Sequence, residues 1–524
     1  MKAHNIKGKK SILDEMKLDQ ALRLAKKKEN ADEIKEARSI YQDIVQKYPG
    51  NAKARMGIKQ LTDPPLTVSK LLINLHSKGQ YPECIEQARN LIDKYPSCAH
   101  LHNIFALSNA AIKEHKVAIK SYKKALKIQP DNEDLLNNLG VALIDSGDFI
   151  EAIEILNEAK KIKPDNPSTF VNLGNALRAN GDIRGAIESF NKALMMNSDK
   201  ASVYYNIGIA LAESGEVKAA IENYKRAIEI KPNFAEAYNN LGIALNQIGK
   251  LEHSINNYKL ALKVKPDYDE VYWNLYGTSS SLEVAMNWIE GCLKINENHQ
   301  QAILTSAALK AYKGDKNDLN LFRKSDYKEH SLTRSINWVF NLPKLPKLFF
   351  HRWALFDYVM GHSIKERPFY EFGVWRGEAF KYLIKTFKKG FGFDTFSGLP
   401  EDWHKEKAGT YSSDGNIPKI EGGEFIVGKF EDTLPDFFSE DRPLASVINF
   451  DADLYSSTIC ALNYSKNVID ESTILIFDEF LTNPNWEEDE YKALIEFCES
   501  NGFEYEVIAI SFASKQAAIK IVGI

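Results

Sequence analysis

Apolar and small residues change their rhythm part-way along the chain. Over residues 65–268 they return at a fixed interval of 34; from about Lys344 that rhythm is gone and short apolar runs alternate with helical stretches. In the first part Pro96, Pro130, Pro164, Pro232 and Pro266 stand on one 34-residue grid, with Ser198 in the slot that lacks proline. Gly79, Gly147, Gly181, Gly215 and Gly249 stand on a second, with Lys113 in the vacant slot. Gly140, Gly174, Gly208 and Gly242 form a third, and Ala152, Ala186, Ala220 and Ser254 a fourth. This spacing predicts helix pairs. The second-grid glycine closes helix A in a left-handed conformation, and the proline stops helix B from continuing. The Gly140 and Ala152 series let helices A and B approach closely. Leu156, Phe190, Tyr224 and Tyr258 are expected to fill the space between stacked pairs. One pair cannot bury its own apolar face, so neighbours must stack into a superhelix.

Spacing and residue types together resemble the tetratricopeptide repeat. Six units are expected over residues 65–268, then a degenerate repeat and linker over 269–343, where Glu297 sits near the proline position. Residues 1–64 read as an N-terminal helical segment with a degenerate repeat. There Ala31 to Leu61 form a pair around Tyr48-Pro49, and Asp63-Pro64-Pro65 interrupts the register. Asn138, Asn172, Asn206, Asn240 and Asn274 also recur every 34 residues, two positions before the glycine slot. Helix A lines the concave face in this fold, so these amides are expected to form a ladder there. It is similar to the ladder in the repeats of O-GlcNAc transferase, which implies a protein or peptide partner held by its backbone. An amide donates and accepts at once, which suits such recognition. The competing reading is a local capping role for an asparagine common at this position.

The second part predicts an α/β domain over residues 344–524. Phe369 to Val374 forms an apolar strand running into Trp375-Arg376-Gly377-Glu378, and a helix follows over Ala379 to Phe387. Further strands are expected from Phe391 to Asp394, Gly423 to Val427, Ala445 to Phe450 and Thr473 to Phe477. Tyr505 to Ile510 and Ala517 to Val522 read as a terminal antiparallel pair. This alternation implies a doubly wound, mostly parallel sheet, in which ligands bind at the carboxyl ends of the strands. Asp394, Asp451, Asp478 and Glu479 follow apolar strands directly. One such acid is commonly a turn or helix cap; several beside a glycine turn point to a ligand site.

EFGVWRGEAF, GFDTFSGLPEDW, VGKFEDTLP, INFDADLYSST and ILIFDEF, in this order, resemble the macrocin O-methyltransferase family. The resemblance implies a Rossmann-like class I domain, S-adenosylmethionine as methyl donor, magnesium or manganese, and a hydroxyl acceptor on a sugar or other small molecule. It assigns Glu371, Gly373 and Gly377 to the first-strand loop, where glycine lets the backbone approach the methionine part of the cofactor. Asp394 becomes the acceptor for the ribose hydroxyls. Gly428, Phe430, Glu431 and Asp432 become the loop beside the adenine. Asp451, Asp478 and Glu479 match the metal ligands, and Asp453 the general base. The family carries two aspartates where this chain has Asp478-Glu479. Hard carboxylate oxygens suit magnesium or manganese, and no His/Cys cluster points to zinc. The loop from Pro400 to Ile420, with Trp403, His404, Tyr411 and Asn416, is a candidate lid. His404 is a weaker base candidate than the aspartates.

Composition narrows the alternatives. The 524 residues exceed one hydrophobic core and correspond to about three or four domain-sized units. A net charge of −4 gives no reason to expect nucleic acid or an anionic membrane as main partner. The apolar runs are too short to span a bilayer. Met1 to Lys10 carries lysines but is followed by no apolar core of a secretory signal. Cys84, Cys98, Cys292, Cys460 and Cys498 show no metal-type spacing, which fits a reducing cytoplasm. The rival to an enzyme is a non-catalytic repeat scaffold with a degenerate transferase domain. A glycosyltransferase is disfavoured, since no second sugar-nucleotide domain is visible.

Overall fold

The computed structural model describes residues 11–31, 33–196, 199–413 and 415–523, with the side chains of residues 34 and 62 left aside. Ser198 and the segment Met1 to Lys10 lie outside the described residues. The chain divides into two compact units, Met1–Asn206 and Ile207–Ile524.

In the first unit, helices follow one another as antiparallel pairs. Leu66–Ser77 and Tyr81–Lys94 are followed by Ala99–Ala111 with His115–Ile128, Glu133–Ser146 with Phe149–Ile162, and Pro167–Ala179 with Ile183–Leu194. Gly79, Gly147 and Gly181 have φ of +74°, +87° and +86°, and Lys113 in the vacant slot takes φ +65°. The turn therefore imposes the left-handed conformation even where no glycine stands. The third-grid glycines also have a steric cause. A Cβ on Gly140 would stand 2.6 Å from Leu156 Cγ, and one on Gly174 would stand 2.5 Å from Phe190 Cε1. Leu156 and Phe190 thus fill the seam between helices A and B of their own pair, and Leu156 also shares a core with Leu173 and Ala176 of the following pair. Ahead of the expected Ala31–Leu61 pair lies a further helix, Leu18–Asn30. It buries Ala21 and Ala25 against Ile40, Tyr41 and Ile44. Its mean hydropathy is low and its charge dense, yet Leu18, Ala21, Leu22 and Ala25 recur at helical spacing and form an apolar stripe.

The second unit continues the pattern with Val217–Ile230, Ala235–Gln247 and Leu251–Val264. Gly208 and Gly242 meet Tyr224 and Tyr258 as Gly140 meets Leu156. A shorter set, Asp269–Tyr276, Leu282–Ile295 and Gln300–Tyr312, occupies the stretch where the 34-residue spacing slips. A mixed sheet follows, with strands β1 (Lys347–Phe349), β2 (Phe369–Phe372), β3 (Gly390–Asp394), β4 (Gly423–Val427), β5 (Val447–Phe450), β6 (Ile474–Phe477), β7 (Glu504–Ser511) and β8 (Ala517–Val522). Their order is β1-β7-β8-β6-β5-β2-β3-β4. Pairing is parallel except that β8 runs antiparallel to β6 and β7. Strand β1 was not anticipated; three residues after a proline-rich stretch carry too little pattern.

The central strands are buried on both faces and so read as unbroken apolar runs. One face packs Phe372, Phe393, Phe450 and Phe477 against a core that includes Leu304, Ala308 and Ile336. The helices just before residue 344 thus share the sheet's core. The other face packs Phe369, Val447 and Ile476 against Phe356, Phe380 and Leu383. No helix among the described residues is long and apolar enough to cross a membrane.

Candidate functional site

Strand register builds the site. Phe393, Phe372, Phe450 and Phe477 stand level across β3, β2, β5 and β6. Their rings stack at 4.8, 5.4 and 4.9 Å between centroids. The residues that follow are therefore level too: Asp394, Gly373, Asp451 and Asp478. The backbone ladder runs one step further to hold them. The Gly373 N–H donates to Phe393 O (2.9 Å), Asp451 N–H to Phe372 O (2.8 Å) and Asp478 N–H to Phe450 O (3.0 Å). From β2 the chain winds outward through β3 and β4, then returns to β5 on the other side. A crevice opens at such a reversal, and a cavity of about 410 Å³ lies there, within the size range of cofactor-sized ligands.

Of the expected cofactor residues, Glu371, Gly373, Asp394, Phe430 and Glu431 line this cavity, whereas Gly377, Gly428 and Asp432 lie outside its wall. Gly373 has φ +88°, and a Cβ there would collide with the Asp451 carbonyl oxygen. The chain's own close approach already demands this glycine. Gly377 (φ +74°) is the N-cap of the helix Glu378–Phe387. Gly428 donates its N–H to the Asp394 carbonyl (3.0 Å), and Asp432 is exposed. Asp394 Oδ2 accepts from the N–H groups of Val374 (2.7 Å) and Trp375 (2.6 Å), and Oδ1 from Phe396 N–H (2.6 Å). A carboxylate offers about four acceptor positions, so roughly one remains for a ribose hydroxyl instead of the expected two.

Asp451, Asp453, Asp478 and Glu479 line the same cavity. Asp453 has φ +60° and sits at the centre of a γ-turn closed by Leu454 N–H to Ala452 O at 2.6 Å, a sparsely populated backbone found at functional sites. Burial raises its carboxyl well above the usual range, helped by the charges of Glu479 and Asp478. Burial also raises Asp451, reinforced by Asp478 and opposed by Arg352. Glu371 is 1% exposed, and its Oε2 has no hydrogen-bond partner among the described residues. Burial pushes it well up against the pull of Arg352.

The expected metal ligands do not form one set. Arg352 Nη2 lies 2.9 Å from Asp478 Oδ1 and 3.4 Å from Asp451 Oδ2. Gln516 Nε2 also donates to Asp478 Oδ1. Glu479 Oε2 accepts from Asn483 Nδ2 (2.7 Å) and Lys515 Nζ (2.9 Å). Among the described residues, no group of three or more His, Cys, Asp or Glu side chains is arranged to hold a metal ion. So arranged, one oxygen of each carboxylate is engaged by an N–H donor of the chain: Asp451 Oδ2 and Asp478 Oδ1 by Arg352, and Glu479 Oε2 by Lys515.

The loop after β3 contributes Pro400, Trp403 and Tyr411 to the cavity wall. Tyr411 packs edge-on against Trp375, and burial with the nearby Asp453 pushes its hydroxyl up to about 12. His404 is exposed and bonded to Asp489 (2.9 Å), outside the wall.

Sequence reasoning did not find Arg352, Lys515 or Gln516, nor the wall residues Val217, Gln247 and Ile248 of the repeat helices. For Arg352 the one available signal was a lone charge inside the apolar stretch from Leu348 to Phe356. The asparagine series is also clearer now. Nδ2 of Asn138, Asn172 and Asn274 donates to Oδ1 of Asn103, Asn137 and Asn239, respectively, in the preceding repeat (3.2, 3.3 and 2.8 Å). Asn206 and Asn240 are half-buried on their helices. Asn274 lines a second cavity of about 270 Å³, which shares Gln247 and Arg352 with the first.

Family models described as tetratricopeptide repeat match residues 21–51, 75–133, 113–170 and 235–268. One described as TPR repeat matches 174–215 and 210–249. Tetratricopeptide repeats extend across residues 21–268. They are the material of protein-interaction scaffolds, and the N-terminal match includes the unanticipated helix Leu18–Asn30 from residue 21 on. No curated protein matches the chain. Similar solved structures include MamA, 29% identical over 32% of this chain and 96% of that one, with a TM-score of 0.28. PilF of Pseudomonas aeruginosa is 22% identical over 38% and 91% of the two chains (TM-score 0.33). YrrB, titled a TPR protein with an unusual peptide-binding site, is 20% identical over 37% and 99% (TM-score 0.29).

Proposed function

We propose that the sheet region transfers a methyl group from S-adenosylmethionine to a hydroxyl, and that the repeats recruit a protein or glycoprotein partner. The observation that carries the reading is the level row Asp394, Gly373, Asp451 and Asp478 along a cavity of about 410 Å³. The strand order, with its reversal between β2 and β5, supports the Rossmann-like arrangement implied by the motif resemblance. When bound, S-adenosylmethionine would supply an electrophilic methyl group, with its thioether as leaving group, to the acceptor oxygen. Asp453, on the cavity wall beside Asp451, is the proton acceptor for that hydroxyl. Asp394 and the unpartnered Glu371 Oε2 offer acceptors to the donor's hydroxyls and amine. Trp375, Trp403 and Tyr411 shield the site from water. A sugar or glycan as bearer of the hydroxyl rests on the motif resemblance alone.

For the partner, each bonded ladder asparagine spends one amide hydrogen on its neighbour and keeps a second N–H. Asn274 opens onto the smaller cavity that adjoins the larger one at Gln247 and Arg352. A polypeptide held at Asn274 would reach the transfer site there. The five free cysteines suit the cytoplasm.

Titration calorimetry tests the reading. The full chain is expected to bind S-adenosylmethionine, with about tenfold or greater weakening in Asp394→Ala. A wild-type chain that takes up none at about 1 mM, the weak limit of specific binding, would leave the scaffold reading in its place.

A further inference from the structure

Three carboxylates end β5 and β6, and the chain answers them with its own cations. Asp451 and Asp478 share the Nη2 of Arg352, and Glu479 is drawn to Lys515. The positions are firmly built. Arg352 opens the helix Arg352–Gly361, whose N-cap His351 accepts from Ala354 N–H through Nδ1 at 3.1 Å. The next residue, Trp353, is tied to the Asn246 carbonyl at 2.8 Å. The guanidinium packs near the rings of Trp353 and Phe356. Its partners are mostly shielded, with side-chain exposure of 28% for Asp451 and 15% for Asp478. Gln516 adds a second donor to Asp478.

A hard divalent cation needs several converging oxygens with free lone pairs. Here Arg352 Nη2 stands between Asp451 Oδ2 and Asp478 Oδ1, the facing oxygens of two expected ligands, and Glu479 Oε2 of the third is turned to Lys515. A guanidinium stays charged at every physiological pH and presents its donors in a rigid plane. We infer that Arg352 occupies the cation position between Asp451 and Asp478, so that this site works without a divalent metal and Arg352 acts as the residue that aligns both carboxylates. The inference rests on the methyl-transfer reading for what the site does, but the cation it excludes can be measured separately.

Manganese binding followed by electron paramagnetic resonance on the full chain tests it. Wild-type protein is expected to leave Mn²⁺ free up to about 1 mM, with or without S-adenosylmethionine. Arg352→Met, which uncovers the carboxylate pair, is expected to bind Mn²⁺ at least about tenfold more tightly than wild type. Arg352→Lys, which retains a positive charge, is expected to behave like wild type. Stoichiometric Mn²⁺ binding by the wild-type chain overturns the inference, and so does a folded Arg352→Met protein that gains no affinity. If Arg352→Met does not fold, the wild-type titration alone decides. Failure of S-adenosylmethionine binding would instead strike the parent reading and leave the metal result standing.

Discussion

The indole N–H of Trp353 donates to the backbone carbonyl of Asn246 at 2.8 Å. That bond joins the helix entering the sheet region to the last turn of a repeat helix. Trp353 is 5% exposed, its ring lies 4.5 Å from that of Tyr382, and it rests over Gly249. Trp353→Phe removes one hydrogen bond and should cost about 1 kcal/mol. Trp353→Ala removes the ring as well and should cost about 3–5 kcal/mol. Urea denaturation followed by circular dichroism measures both; an alanine variant with the wild-type midpoint would contradict the role given to this seam.

A double-mutant cycle probes the packing of helix A on helix B. Gly140→Ala puts a methyl into Leu156 and is expected to cost about 1–3 kcal/mol. Leu156→Ala alone leaves a cavity and should cost about 2–5 kcal/mol. Together they should cost at least about 0.5 kcal/mol less than their sum, since each relieves the other. Additive losses in thermal unfolding would show that the two side chains do not share one space.

The vacant glycine slot offers a stabilising change. Lys113 holds φ +65°, a conformation that costs a side-chain-bearing residue about 1–2 kcal/mol. Lys113→Gly should therefore raise stability, by about 1 kcal/mol once the extra freedom of glycine in the unfolded chain is set against it. Gly79→Ala, at φ +74° with open space around it, should cost about as much. Calorimetric melting temperatures that move in the opposite senses would refute the turn-conformation argument.

Stability should also depend on pH through Glu371. Burial holds its carboxyl well above the usual carboxylate range. The folded chain therefore holds this proton more tightly than the unfolded chain does, and stability falls as pH rises above about 4.5. Glu371→Gln removes that dependence and should stabilise the second unit at neutral pH by roughly 1–3 kcal/mol. Urea midpoints at several pH values give the answer. A variant with the same pH slope as wild type, or lower stability at neutral pH, would show that the buried carboxylate is compensated.

Local rules made much of this molecule legible. The left-handed turns at Gly79, Gly147 and Gly181 follow from helix-closing geometry within a few residues. The strand ends at Asp394, Asp451 and Asp478 follow from where apolar runs stop. Leu156 was seen as packing between stacked pairs, as its cluster with Leu173 shows, but its fit against Gly140 within its own pair was not, because periodicity gives a face and not its neighbour. Gly373 was read as a concession to a ligand, yet the Asp451 carbonyl already fills the place of its side chain.

By itself, then, the sequence determined the 34-residue helical pairing, the strands of the second part and the acids at their ends, since each depends on residues close together in the chain. Tertiary structure alone decided what those acids face. Arg352 comes from 99 positions before Asp451, Lys515 from 36 positions after Glu479, and Gln247 of a repeat helix completes the wall. Charge balance in a half-buried pocket is set by proximity in space, and no spacing along the chain encodes it.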